Sequence, residues 1–182
     1  MVYVILANGF EEIEALCAVD VLRRAGAEVK AVGITGRVAM GAHGIPVTCD
    51  TVFSELEEDM TPELLVLPGG MPGADNIDLF EGTDGLIKKT LEGGGYVGAI
   101  CAAPLVLGKR GLLKGRRAVC FPGFEKYLTG AHITDSDVVR DGQFVTSKCM
   151  GTALPFAVEL VSCLYGKEKA EKVRASVMAQ TN

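Results

Sequence analysis

The chain has 182 residues, of which 48 % are hydrophobic and 23 % charged, and it carries a formal net charge of −5. Those values suit a soluble globular protein built as one domain over 1–182, and they disfavour a nucleic-acid partner, which needs a basic face. Basic residues are scattered apart from the pairs Arg23–Arg24, Lys88–Lys89 and Arg116–Arg117. No apolar run is long enough to span a membrane, and the start has no signal-peptide pattern. The six cysteines form no C-x-x-C pair and only two histidines are present. Zinc-site spacing is therefore missing, and a reducing cytoplasm with free thiols is the expected setting.

Met1–Leu6 is a short apolar run that ends at Asn8–Gly9, and it reads as a buried parallel strand. The pattern then turns helical over Phe10–Arg24, with Ile13, Leu16, Val19, Leu22 and Ala25 on one face and Gly26 as the cap. Val29–Ile34 follows as a second strand, completing the strand–helix–strand unit of a parallel sheet. Glu11 and Glu12 read as first-turn acids that complement the helix dipole. Glu14 stands apart, because it shares the inward face with Cys17 at the carboxyl edge of a strand, where open α/β sheets place their sites.

Val38–Val52 reads as a β excursion or hairpin at the sheet edge, with His43 in its GAHGI turn. A loop histidine of this kind is commonly a solvated turn residue. Phe53–Pro62 reads as a short acidic surface helix with a loop. Leu64–Leu67 is a third strand that runs into Pro68-Gly69-Gly70, a glycine turn able to form an anion-binding nest or simply a tight loop. Asn76–Phe80 reads as a helical turn, and Thr83–Leu91 as a helix that stops at Gly93-Gly94-Gly95.

Tyr96–Ile100 is the central strand and ends on Cys101. Ala102 and Ala103 follow, and a helical pattern covers Ala102–Arg110. A thiol between a strand and a helix, with small neighbours, is the sequence of a nucleophile elbow. The helix dipole there favours thiolate over thiol. The alternative is a small buried cysteine at the end of a core strand. Ala118–Phe121 reads as another strand and Pro122–Tyr127 as a short helix. Ile133–Val139 and Gln143–Thr146 flank Asp141-Gly142, a strong hairpin signal. Ser147–Thr152 reads as a loop, Ala153–Leu164 as an apolar helix capped by Gly166, and Glu168–Met178 as a final amphipathic helix.

Four segments, ANGFEEIEA at 7–15, LPGG at 67–70, GAICAAP at 98–104 and DGQFVTS at 141–147, together resemble the DJ-one/ThiJ/PfpI superfamily. VDVLRRAG at 19–26 points to its DJ-one-like branch. The resemblance spans nearly the whole chain. It implies a flavodoxin-like, doubly wound, mostly parallel sheet flanked by helices, with no cofactor or metal and usually a homodimer. It implies that Cys101 is the reactive cysteine and Glu14 the carboxyl bonded to it. Gly70 and Ala102 would supply an oxyanion-type pocket through their N–H groups, with Gly69 completing the turn. It places Arg24 and the His43 loop near the subunit interface as candidate contributors to a partner's site. Relatives often carry a histidine where Phe121 stands here, so a peptidase-type Cys–His dyad does not carry over. Cys120 and Cys149 are either packed thiols or resolving partners for Cys101. A thiolate beside a carboxylate requires Glu14 to hold a proton. The function this implies is cofactor-independent conversion of glyoxal-type aldehydes, or repair of their early glycation adducts. The alternatives are a redox sensor or redox-regulated chaperone acting through Cys101 oxidation and, further off, a peptidase or amidase.

Overall fold

The structure, a computed structural model, describes residues 1–57 and 59–178. Its centre is a seven-stranded sheet. The first strand, β1 (Val2–Leu6), leads into helix α1 (Glu12–Arg24), and β2 (Val29–Gly33) returns parallel to β1. A small hairpin of β3 (Val38–Met40) and β4 (Pro46–Thr48) then stands off the sheet, and β5 (Thr51–Val52) adds a short edge beside β2. The chain next crosses to the other side of β1. There β6 (Leu64–Leu67) pairs parallel with β1, and β7 (Tyr96–Ile100) pairs with β6. Last come β8 (Arg117–Ala118), β9 (His132–Ile133), β10 (Val138–Asp141) and β11 (Phe144–Ser147). The sheet order is β10-β11-β7-β6-β1-β2-β5, parallel throughout except at the β10–β11 hairpin. The winding reverses between β1 and β6, and a crevice opens at the carboxyl ends of strands where that happens.

Alternate residues of the strands face two apolar layers. Val2, Val4, Leu6, Leu64 and Val66 pack on one face toward α1, α5 (Ala153–Tyr165) and α6 (Lys167–Ser176). Tyr3, Ile5, Leu65, Leu67, Val97 and Ala99 pack on the other toward α2 (Gly73–Leu79), α3 (Thr83–Glu92) and α4 (Pro104–Lys109). Gly98 lets α5 come close to β7, since a Cβ there would lie 2.8 Å from Leu160 Cδ2.

The fold class follows the expectation, and several local readings need correction. The inward face of α1 runs through Glu14, Ala15, Ala18 and Leu22, all fully buried, while Ile13 is 52 % and Leu16 40 % exposed. The alanines let α1 lie close against the sheet and α5, which rotates the two larger side chains outward. The helix after Cys101 is shorter than expected, because Pro104 sets its first turn. The Ala118–Phe121 strand is reduced to β8, which pairs only with β9. Beyond it the Val119 N–H goes to Thr146 Oγ1 and the Phe121 N–H to the Cys101 carbonyl, and these bonds draw the chain across the elbow. Ile133–Val139 is split into the end of β9 and the start of β10. Among the described residues of the acidic stretch, Phe53–Glu55 is the helical part, as one 3-10 turn.

Candidate active site

Three connections meet at the crevice. Each follows a parallel strand: β1 delivers Glu14, β6 delivers Gly69 and Gly70, and β7 delivers Cys101. Cys101 has φ 64°, a left-handed value that a side chain adopts at a cost of about 1–3 kcal/mol. The bonds around it over-determine that conformation. Its N–H donates to the Ser147 carbonyl at 2.9 Å, and its carbonyl accepts from Phe121 N–H at 2.8 Å. The N–H groups of Ala102 and Gly70 address the thiol and pull its pKa down.

Glu14 is fully buried. Its Oε2 accepts the Gly69 N–H at 2.8 Å, and its Oε1 is buried with no hydrogen-bond partner. The carboxyl and the Cys101 thiol interact with each other across the site. Gly69 is what makes this approach fit: a Cβ there would lie 2.7 Å from both Cys101 Cβ and Glu14 Oε2. Gly70 has φ 84° and turns its backbone directly beneath the start of α1.

Burial pushes Glu14 up to about 7, against the smaller pull of the Gly69 and Cys101 hydrogen bonds. Burial also pushes Cys101 up to about 12, helped by the charge and hydrogen bond of Glu14, while Ala102 and Gly70 oppose. The helix start after the elbow was expected to favour thiolate; the opposing pull comes from the Ala102 N–H and from the Gly70 N–H on the turn after β6, and desolvation with a neighbouring carboxylate outweighs both. The two groups titrate as one coupled unit. Between about 7 and about 12 that unit holds one proton and one negative charge.

Two residues from the sequence reading sit differently. Glu12, read from the sequence as a first-turn acid that complements the helix dipole, is only 4 % exposed. Its Oε1 accepts the His43 N–H at 2.8 Å, and its Oε2 pairs with His43 Nδ1 at 2.8 Å. Helical periodicity gave no sign of this, because the partner lies 31 residues away on the β3–β4 turn. His43 is therefore bonded to its own chain. Arg24 is bonded to Asp20 one turn back at 2.7 Å. Glu11 caps α1, its Oε2 accepting the Glu14 N–H at 2.8 Å. Glu11, Glu12 and His43 bring potential ligand atoms within 4.8 Å of one another, but both Glu12 oxygens are already engaged by His43. Cys120 is buried and Cys149 half-buried, and all six cysteines are free thiols. Phe121 is bonded to the Cys101 carbonyl and 43 % exposed, so an aromatic residue stands beside the elbow.

Known proteins resemble this chain in sequence and in fold. Among sequence relatives, Protein dj-1beta of Drosophila melanogaster is 36 % identical over 182 residues, covering 98 % of this chain and 97 % of the relative. Protein DJ-1 homolog A of Arabidopsis thaliana is 38 % identical over 97 % of this chain, and the chain spans 46 % of that relative's length. For homolog B the span is 41 %. The crystal structure of Drosophila melanogaster DJ-1beta superposes with a TM-score of 0.93 at 34 % identity, covering 99 % of this chain and 98 % of that one. An oxidised Toxoplasma gondii DJ-1 gives the same TM-score, identity and coverage. Two relatives have names that state an activity: a deglycase of Pyrococcus abyssi and a glutathione-independent glyoxalase of Caenorhabditis elegans. Each is 32 % identical over 90 % of this chain, which covers 98 % and 87 % of them respectively. The DJ-1/PfpI family model matches residues 1–163, and the chain belongs to the DJ-1/PfpI family.

Proposed function

We propose that the protein converts glyoxal-type aldehydes to hydroxy acids through Cys101 and Glu14, without glutathione, metal or cofactor. One observation carries this reading: a fully buried Glu14 carboxyl, with Oε1 unpartnered, interacts with a thiol held at a left-handed elbow. The relatives named glyoxalase and deglycase support it. Repair of early glycation adducts is the same chemistry on a larger substrate.

The reactive form has the shared proton on Glu14 and the charge on Cys101 Sγ. Sulfur adds to the aldehyde carbon of methylglyoxal, forming a C–S bond and an alkoxide. The Gly70 and Ala102 N–H groups hold the developing negative oxygen, and Glu14 gives it a proton. Glu14, now a carboxylate, takes the hydrogen on that carbon as a proton and returns it to the neighbouring carbonyl carbon, while the hydroxyl proton passes from the first oxygen to the neighbouring one, leaving a thioester beside a hydroxyl-bearing carbon. The aldehyde carbon is thereby oxidised and its neighbour reduced within one molecule, so no outside oxidant is consumed. Water then cleaves the resulting thioester, releasing lactate and the thiol.

The test is lactate formation from methylglyoxal by the wild type, Cys101→Ser and Glu14→Gln. We expect Cys101→Ser to lose at least about a thousandfold; unchanged lactate formation in that variant would sink the reading. A second reading, a redox sensor, draws on the same N–H groups, which would stabilise a sulfinate on Cys101, and on the likeness to an oxidised relative. Absence of lactate, with mild peroxide adding two oxygens to Cys101 alone, would favour it. A peptidase reading lacks its histidine at Phe121. We also read the protein as a homodimer of the reducing cytoplasm, supported by the exposed apolar Ile13 and Leu16 on α1 and by its free thiols. Sedimentation in solution tests the dimer.

A further inference from the structure

Glu12 and His43 lie outside the thiol's immediate surround, yet their contact is complete. Glu12 has a side chain 5 % exposed and gives both oxygens to one residue, accepting the His43 main-chain N–H and pairing with its ring. Gly41 lays bare backbone against that carboxylate, and a Cβ there would overlap Glu12 Oε1. Other bonds join the same turn to the connection between β1 and α1. Ala42 N–H donates to the Phe10 carbonyl at 2.8 Å, Gly9 N–H to the Met40 carbonyl at 2.7 Å, and Met40 N–H to Asn8 Oδ1 at 2.9 Å. On its far side that connection touches the glycine turn, where Glu11 N–H donates to the Gly69 carbonyl at 2.9 Å. Glu14 stands two residues beyond Glu12 on the same helical turn. A slide or rotation of that turn therefore moves Glu14 relative to Cys101.

We propose that Glu12 and His43 are a positioning pair that clamps the first turn of α1, keeping the Glu14 carboxyl on the Gly69 N–H and against the Cys101 thiol. The inference rests on the reading of Cys101 as the reactive thiol. The pair acts through Glu14 and need not touch substrate. Two bonds to one carboxylate fix orientation as well as distance. A displacement of about 1 Å at a reacting group costs on the order of a hundredfold in rate. The charged groups facing His43 are Glu11 and Glu12 of α1; the turn itself, Met40 to Ile45, has no other titratable side chain.

The test is the rate at which iodoacetamide alkylates Cys101, followed across the pH range by mass spectrometry of the peptide that contains it. The charge and hydrogen bond of Glu14 push the Cys101 thiol up, so displacing Glu14 through His43→Leu should lower the midpoint by about one pH unit. Gly41→Ala, which pushes Glu12 aside and leaves the imidazole in place, should do the same. His43→Asn, which retains a donor near the position of Nδ1, should restore the wild-type midpoint. His43 has a side chain 70 % exposed, so its replacement spares the core, and circular dichroism confirms folding of each variant. Wild-type midpoints in both His43→Leu and Gly41→Ala would overturn the proposal, as would His43→Asn behaving like His43→Leu. If wild-type Cys101 reacts no faster than the other cysteines, the reactive-thiol reading fails and this inference fails with it. A reactive wild-type Cys101 with unshifted variants removes the inference alone.

Discussion

Glu12 and Glu14 share the first turn of α1 and are both buried, one facing the β3–β4 hairpin and the other facing the elbow. Burial pushes both carboxyls upward. At the hairpin the His43 hydrogen bonds and charge overcome it, and Glu12 is held below its ordinary value. At the elbow Glu14 has one N–H and a thiol, burial wins, and its pKa stands at about 7. Burial alone does not determine what a carboxyl becomes: two satisfied oxygens and a basic partner keep it charged, whereas an unpartnered oxygen beside an acidic group makes it a proton holder.

The sharpest way to break this comparison is to remove each carboxyl in turn. Glu14→Leu should reduce lactate formation by about 10²–10⁴-fold, the usual contribution of a positioned acid–base group. Glu12→Gln, which keeps an acceptor for the His43 N–H, should lose far less. Equal losses would mean that the two sides of the turn do the same work.

Stability should separate the carboxyls next. Glu14 has a folded value of about 7 against an ordinary 4.5, so folding favours its protonated form. Its contribution is fully present below pH 4.5 and disappears as pH rises to about 7. At mildly alkaline pH the ionised, buried Glu14 therefore costs about 3 kcal/mol relative to acid conditions. Urea unfolding of Glu14→Gln should lack this decline, so that the variant gains on the wild type as pH rises. Parallel pH profiles for the two proteins would contradict the raised pKa.

Two glycines test the same contrast by packing. A Cβ on Gly69 would meet Cys101 Cβ at 2.7 Å and the Ile100 carbonyl at 2.9 Å, groups fixed to the backbone. Gly69→Ala should cost about 1–3 kcal/mol, as overpacking does, and should disturb the thiol. The atoms nearest a Cβ on Gly41 belong to the Glu12 side chain, which can move. Gly41→Ala should be the milder change in thermal unfolding, with its effect concentrated in the Glu12–His43 contact.

The elbow side was legible in the sequence and the hairpin side was not, for physical reasons. Strand runs, the glycine turn and the small residues after Cys101 are local patterns, and a parallel sheet brings the carboxyl ends of its strands to one edge. Glu14 could be singled out because it sat on an inward helical face. Val19, Leu22 and Ala25 of that face are buried as expected, but Ile13 and Leu16 are not: they look like core by hydrophobicity, yet the closely packed Ala15 and Ala18 set the rotation of the helix. Glu12 offered no pattern at all, because its burial depends on a hairpin turn brought in from a distant part of the chain. The shortened β8 was equally hidden, since the bonds that end it go to Thr146 and Cys101 rather than to a strand neighbour.

The smallest expected effect is also the most specific to the hairpin side. The hydrogen bond that Glu12 accepts from the His43 ring, with the Glu12 charge, raises the His43 pKa. A raised histidine adds stability that is fully present below its unfolded value and is lost as pH rises through the folded one. In Glu12→Gln the charge is gone, so the His43 ring resonances, followed by NMR against pH, should titrate at a lower midpoint than in the wild type. If His43 titrates alike in both proteins, Glu12 is not charged beside it, and the opposition between the two carboxyls of α1 collapses to a difference in geometry alone.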